Sequence, residues 1–248
     1  MSAEPLVLVP GLLCDEAVWA PQIRALQARF PVQVPHHGER DSLGAMAEAI
    51  LAQAAPRFAL AGHSMGGRVA LEVYARAPER VTRLALLDTG YEGFADGAAG
   101  ERERDGRLRL LGIARSQGMR PMGADWARGM VHPARLTDTA LMEAILDMIA
   151  RANPAVFAAQ IRALLARPDR TALLPRIAVP TLVLCGHEDS WSPIERHRVM
   201  AAQIPHSVLV DIPDSGHMCT MERPEEVSQA LRAWLTDAPQ IPAAPKEP

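Results

Sequence analysis

The chain predicts an α/β fold: a mainly parallel sheet of about six strands, helices on both faces, and a long helical segment inserted into the order. Three observations lead there. Short apolar, β-branched runs recur along the chain, at 6–10, 31–35, 57–61, 83–88, 180–185 and 207–212. A segment of helical periodicity follows one of them, with Met65, Val69, Val73 and Ala77 on one face until Pro78 stops it. Polar residues with chemical capacity stand just past several strand ends, where parallel sheets gather their sites.

Taken in order, Leu6 to Pro10 (LVLVP) is the first strand and runs into Gly11-Leu12-Leu13. Arg57 to Ala61 (RFALA) is a short buried strand leading to Gly62-His63-Ser64-Met65-Gly66. Arg83 to Leu87 is apolar and ends at Asp88. Pro180 to Cys185 (PTLVLC) is β-branched, bounded by proline and glycine, and ends in Gly186-His187-Glu188-Asp189. Ser207 to Ile212 (SVLVDI) leads through Pro213-Asp214-Ser215-Gly216 to His217, then to a helix carrying Val227, Leu231 and Trp234. Residues 1–92 and 177–236 form the predicted core, 93–176 a helical lid, and 237–248 a Pro/Ala-rich tail expected to be disordered.

The five residues around Ser64 fit G-x-S-x-G on a strand, tight turn and helix, the arrangement that lifts a serine hydroxyl onto a strained elbow. Gly62 and Gly66 allow helix and strand to approach closely, and the helix N-terminus favours negative charge beside Ser64. A nucleophilic serine needs a base and an acid, expected downstream in the order Ser, Asp or Glu, His. His217 is placed to take the proton from Ser64, and Asp189 to fix the imidazole tautomer and stabilise its positive charge. The backbone N–H of Met65, next after the nucleophile, is one expected oxyanion donor.

On the elbow Gly62-His63-Ser64-Met65-Gly66-Gly67, the Gly186-x-x-Asp189 loop, and Gly216-His217 followed by Glu222 and Pro224, the chain resembles the α/β-hydrolase superfamily over nearly its whole length. Within it, the chain is most similar to small bacterial esterases and lactonases of the 3-oxoadipate enol-lactonase type. The resemblance implies an α/β-hydrolase fold and a second oxyanion donor at Leu12. It also implies that the 93–176 insertion covers the nucleophile. This sequence has Pro10-Gly11 where the family often has His-Gly, and Pro35-His36-His37-Gly38 where relatives tend to have Pro-Gly-His-Gly; His37 is read as structural. The superfamily's two leading strands have no room before Leu6. Some relatives carry the acid after the strand ending at Asp88, so Asp88 stands as the alternative to Asp189, while Glu188 is one residue out of frame.

Composition bounds the function. The net charge of −3 over 248 residues argues against a generic nucleic-acid binder. No apolar run reaches membrane-spanning length and Met1 to Pro10 lacks a signal-peptide pattern, so a cytoplasmic enzyme is expected. The three cysteines, Cys14, Cys185 and Cys219, are read as reduced thiols. Lys246 is the only lysine and lies in the tail, which excludes Schiff-base, pyridoxal-phosphate and P-loop chemistry. No cofactor and no metal are implied, since His36 and His37 have no partners at ligand spacing.

In the insertion, helices are expected from Thr137-Asp138 and from Asn153-Pro154, an asparagine cap before a first-turn proline. Met119, Met122, Met130, Met142 and Met148 offer either a pliable pocket lining or simple lid core. Trp126 and Trp191 are candidate pocket walls. Residues 101–135 hold eight arginines against four acids, which either clamp a substrate carboxylate or form a solvated face. The expected activity is cofactor-independent hydrolysis of a small ester or lactone, by a monomer or homodimer. The same residues also serve C–C bond hydrolases and lyases, or a ligand-binding receptor with a degenerate site.

Overall fold

The computed structural model describes residues 4–236, so the tail assigned to 237–248, with Lys246, lies outside the described residues. Six parallel strands form one sheet: β1 (Leu6–Val9), β2 (Val32–Gln33), β3 (Phe58–His63), β4 (Val81–Leu87), β5 (Thr181–Gly186) and β6 (Ser207–Ile212). Their spatial order is β2-β1-β3-β4-β5-β6. All six predicted strands are present. β2 is cut to two residues between Pro31 and Pro35, which lack the N–H groups an edge ladder would use. β4 starts earlier than expected, because Val81 pairs with Phe58 of β3.

Burial explains the strand sequences. Every residue of β3 and β5 is buried, so both read as continuous apolar runs. β6 sits at the edge and leaves Val208 66% exposed. A Leu or Val withdrawn from water, such as Leu60, Leu84 or Val183, contributes about 1.5–3 kcal/mol. Helices α1 (Ala20–Leu26) and α10 (Pro224–Thr236) pack together, as do α2 (Leu43–Gln53) and α3 (Met65–Arg76), while α8 (Ile194–Gln203) lies against β5 and β6.

The segment between β4 and β5 contains α4 (Gly97–Gln117), α5 (Met119–Trp126), α6 (Thr139–Ala150) and α7 (Pro154–Leu165). The expected caps are in place: Asp138 accepts from the Leu141 N–H, and Asn153 from those of Ala155 and Val156. The short α9 (Cys219–Glu222) precedes α10.

The sheet order reverses direction between β1 and β3, since β2 lies beyond β1 and all later strands lie beyond β3. Loops leaving two such strands part to opposite faces and open a crevice at their carboxyl ends. Val9 pairs with Gly62 in register, so the Gly11–Leu12 loop and Ser64 emerge side by side at that crevice.

Candidate active site

Ser64 sits between β3 and α3 with φ 56° and ψ −121°, a region that non-glycine residues occupy at a cost of about 1–3 kcal/mol. Close packing holds it there. A Cβ on Gly62 would overlap the Gly66 carbonyl, and one on Gly66 would overlap the Val9 and Pro10 carbonyls. The Ser64 N–H donates to the Leu87 carbonyl at 2.9 Å, and its own carbonyl accepts from the Thr89 hydroxyl at 2.6 Å.

His217 and Asp189 arrive from the loops after β6 and β5. The Ser64 hydroxyl lies 2.8 Å from His217 Nε2, and His217 Nδ1–H donates to Asp189 Oδ2 at 2.7 Å. Asp189 Oδ1 accepts the Trp191 and Ser192 amides at 2.8 and 2.9 Å. Burial alone would raise the Asp189 pKa, but His217 and these donors together hold it below the usual carboxylate range. Burial likewise opposes charge on His217, yet the Asp189 carboxylate prevails and raises its pKa. With Nδ1–H committed to Asp189, Nε2 is left to accept the serine proton.

Asp88 occupies a different place. Its Oδ1 accepts the Gly186 amide at 2.8 Å, and its Oδ2 lies 3.6 Å from His63 Nε2. Burial, reinforced by the Asp189 charge, raises its pKa well above the ordinary value. Asp189, not Asp88, is hydrogen-bonded to His217. Glu188 turns to the neighbouring loop and accepts the Ser215 N–H. Asp88, Cys185 and Asp189 bring donor atoms within 4.8 Å of one another. Burial keeps the Cys185 thiol protonated, where it donates to the Gly186 carbonyl, and Asp189 is fully engaged with His217, Trp191 and Ser192.

The Gly11–Leu12 loop runs against the serine, since a Cβ on Gly11 would lie 3.1 Å from Ser64 Cβ. His37 Nε2 lies 3.2 Å from the Pro10 carbonyl and anchors that loop, burial having pushed its pKa down to about 4. The Leu13 amide is held by the buried Gln160 of α7 at 2.9 Å. Leu12, Ser64, Met65 and His217 line one cavity of about 360 Å³. Trp126 and Trp191 line it too, stacked at 5.4 Å between centroids, with Trp191 5.0 Å from the His217 ring.

Several partners were not legible in sequence. His63 is buried beside the serine and donates Nε2–H to the His217 carbonyl at 2.7 Å; burial pushes its pKa down to about 3, so it stays neutral. His197 Nε2 accepts the Thr89 amide at 2.9 Å. Of the five methionines offered for the pocket, Met130 lines it, whereas Met119, Met122 and Met148 are core and Met142 packs on its margin. Of the eight arginines between 101 and 135, Arg107 alone lines this cavity. Arg109, Arg120 and Arg135 pair with acids at or near the surface. The cavity's other arginines, Arg68, Arg167 and Arg196, come from outside that stretch.

A parallel sheet with a strained serine elbow at its switch point and a histidine–aspartate pair beside it defines an α/β hydrolase architecture. The chain belongs to the alpha/beta hydrolase family, whose model matches residues 6–230. It is 27% identical to an (E)-2-((N-methylformamido)methylene)succinate hydrolase of Acinetobacter baylyi, across 95% of this chain and 92% of that protein. It is 30% identical to a pimeloyl-[acyl-carrier protein] methyl ester esterase of Xanthomonas oryzae, across 94% of this chain and 96% of that one. A malate-bound thermophilic esterase from Thermogutta terrifontis superposes with a TM-score of 0.83 at 31% identity, covering 94% of this chain and 90% of its own. The fold of an enol-lactonase from Burkholderia xenovorans matches at 0.83 over 96% and 93%, at 22% identity. Among the described residues no helix is long and apolar enough to cross a membrane.

Proposed function

We propose that the protein is a cofactor-independent serine hydrolase that cleaves a small carboxylic ester or lactone through an acyl-enzyme on Ser64. The observation that carries this reading is the unbroken chain from Ser64 Oγ through His217 to Asp189, at 2.8 and 2.7 Å, opening into a cavity of about 360 Å³. In this reading His217 removes the serine proton as Oγ attacks the carbonyl carbon, and Asp189 stabilises the imidazolium. The Leu12 and Met65 amides receive the oxyanion; losing one such donor typically costs about 3–4 kcal/mol in the transition state. His217 then protonates the leaving alkoxide, activates water against the acyl-enzyme, and returns the proton to Ser64 as the acid departs.

The relatives support an ester or related acyl bond, being named for a methyl ester esterase and a succinate-derived hydrolase. The segment 93–176 acts as a lid, with the residues from Met130 to His132 tied to the His217 loop. Hydrolysis of p-nitrophenyl acetate and butyrate by wild type and Ser64→Ala tests the proposal, together with fluorophosphonate labelling located by mass spectrometry. Turnover lost in Ser64→Ala, with the label on Ser64, is expected. Neither turnover nor label in the wild type would overturn it.

A further inference from the structure

Four guanidinium groups line the same cavity as Ser64: Arg68, Arg107, Arg167 and Arg196. They come from separate parts of the chain, α3, α4, the end of α7 and α8, so no single charged stretch accounts for their convergence. Three have carboxylate partners. Glu103 takes Arg167 through both oxygens at 2.7 Å and Arg107 through one at 2.8 and 2.9 Å. Arg196 pairs with Glu92 at 3.3 Å.

Arg68 is the exception. Its Nη1 donates to the Glu92 backbone carbonyl at 2.7 Å, and it forms no ion pair among the described residues. Burial, with Arg167 and Arg196 adding to the effect, outweighs the charges of Glu92 and Glu103 and pushes its pKa down to about 9, so at neutral pH the charge persists at a cost. Gly90 leaves the room it needs, since a Cβ there would come 2.5 Å from Arg68 Nη2 and 3.3 Å from Arg196 Cδ. Of the acids that line the cavity, Glu103 is hydrogen-bonded to Arg107 and Arg167 rather than to Arg68, and burial raises the Asp88 pKa well above its ordinary value.

We propose that Arg68, flanked by Arg196 and backed by Arg107 and Arg167, binds a free carboxylate on the substrate, so the enzyme prefers half-esters or lactones of short dicarboxylic acids over neutral esters of equal length. The inference rests on the serine-hydrolase reading. Arg68 follows Ser64 by one helical turn, so a carboxylate held there lies within a short carbon chain of the reacting carbonyl. A planar guanidinium with free N–H groups suits a carboxylate's two oxygens, and its unpaired charge makes the anion's desolvation worthwhile.

The test compares methanol release from monomethyl glutarate and methyl hexanoate in wild type, Arg68→Met, Arg68→Lys and Arg196→Met, each checked for a native melt. Calorimetric titration of glutarate into Ser64→Ala and Ser64→Ala/Arg68→Met supplies a readout without turnover. Wild type is expected to favour monomethyl glutarate in kcat/KM by about ten- to hundredfold, the range of a charge-assisted hydrogen bond. That ratio should fall towards one in Arg68→Met, recover in part in Arg68→Lys, and fall less in Arg196→Met. Glutarate binding should weaken by a similar factor when Arg68 is lost. A wild type that cleaves both esters equally, or a ratio untouched by Arg68→Met in a folded protein, overturns the carboxylate site and leaves the hydrolase standing. If no ester is cleaved and fluorophosphonate does not label Ser64, the hydrolase reading fails. Glutarate titration of the wild type then decides the anion site: binding that needs Arg68 supports it, and no binding overturns it.

Discussion

Glu222 grips the backbone on both sides of His217. Its Oε1 accepts the Gly216 amide at 2.9 Å and the Met218 amide at 3.2 Å, while Oε2 accepts the His132 amide of the inserted segment at 2.7 Å. The Met218 N–H is also shared with the Met130 carbonyl at 3.2 Å, and a Cβ on Gly216 would crowd Val131 and His132. One buried carboxylate thereby fastens the His217 loop to the segment between β4 and β5. Burial raises its pKa, and the three amides act in the opposite sense.

Glu222→Ala leaves the Gly216 and His132 amides without their acceptor, while the Met218 amide keeps the Met130 carbonyl. Each unsatisfied buried amide costs about 1–3 kcal/mol, so a loss of about 2 kcal/mol or more is expected, a fall in Tm of about 4–8 °C. Because the His217 loop loosens, kcat should fall more than KM rises. A melt and a kinetic comparison on one neutral ester check both, and an unchanged melt would remove Glu222 from this role.

The pH profile follows from Asp189 and His217. In the proposed mechanism His217 accepts the serine proton only when Nε2 is free, so kcat/KM should rise as pH passes upward through the pKa of the pair. That pKa lies above the ordinary 6.5 because the Asp189 carboxylate outweighs burial. In Asp189→Asn the raising charge is gone, so the residual activity should titrate at lower pH. A residual profile unmoved by the substitution would contradict the assignment of Asp189 as the charged partner.

Glu103 supplies a stability prediction in acid. Although burial disfavours its charge, Arg167 and Arg107 pull its pKa down from 4.5 to about 2. A depressed folded-state pKa means its stabilisation is complete above about pH 4.5 and is lost as pH falls towards 2. Glu103→Gln should therefore flatten the Tm-against-pH curve between those values. Melts from pH 5 downward read the difference in slope.

Two glycine substitutions should act in opposite directions. Gly66→Ala drives a Cβ into the Val9 and Pro10 carbonyls, for which no flexible side chain can give way. A cost of about 3 kcal/mol is expected, with loss of turnover because the elbow shifts. In Gly112→Ala, on the exposed side of α4, the new Cβ meets nothing within 4 Å. It should stabilise by about 0.5–1 kcal/mol, through helix propensity alone.

Much of the molecule was legible from local chemistry. The six strands were readable because β-branched runs buried on both faces leave a continuous apolar trace, as in PTLVLC. The elbow was readable because Gly62 and Gly66 meet backbone atoms within a few residues or in the adjoining strand. Ser64, Asp189 and His217 were locatable because parallel strands end on one side of the sheet. The helices α6 and α7 announced themselves through Asp138 and Asn153 caps. By contrast α4 was not foreseen: its 21 residues bury only Gly100, Leu110, Leu111 and Ala114, too few to form an apolar stripe.

The sequence by itself determined which strands form, where Ser64 stands on its elbow, and the order in which Asp189 and His217 follow, since each depends on residues close in the chain or on the single direction of a parallel sheet. Tertiary structure alone decided which acid meets His217. Asp189 and Asp88 both end apolar strands, and only the packing puts one against Nδ1 and the other against the Gly186 amide. It also decided which arginines reach the cavity. Arg68, Arg167 and Arg196 are far apart in sequence, and the charge-rich stretch from 101 to 135 contributes only Arg107. Charge counts along a chain record composition, whereas a binding site depends on which side chains the fold aims at a common point and which of them it leaves without a partner.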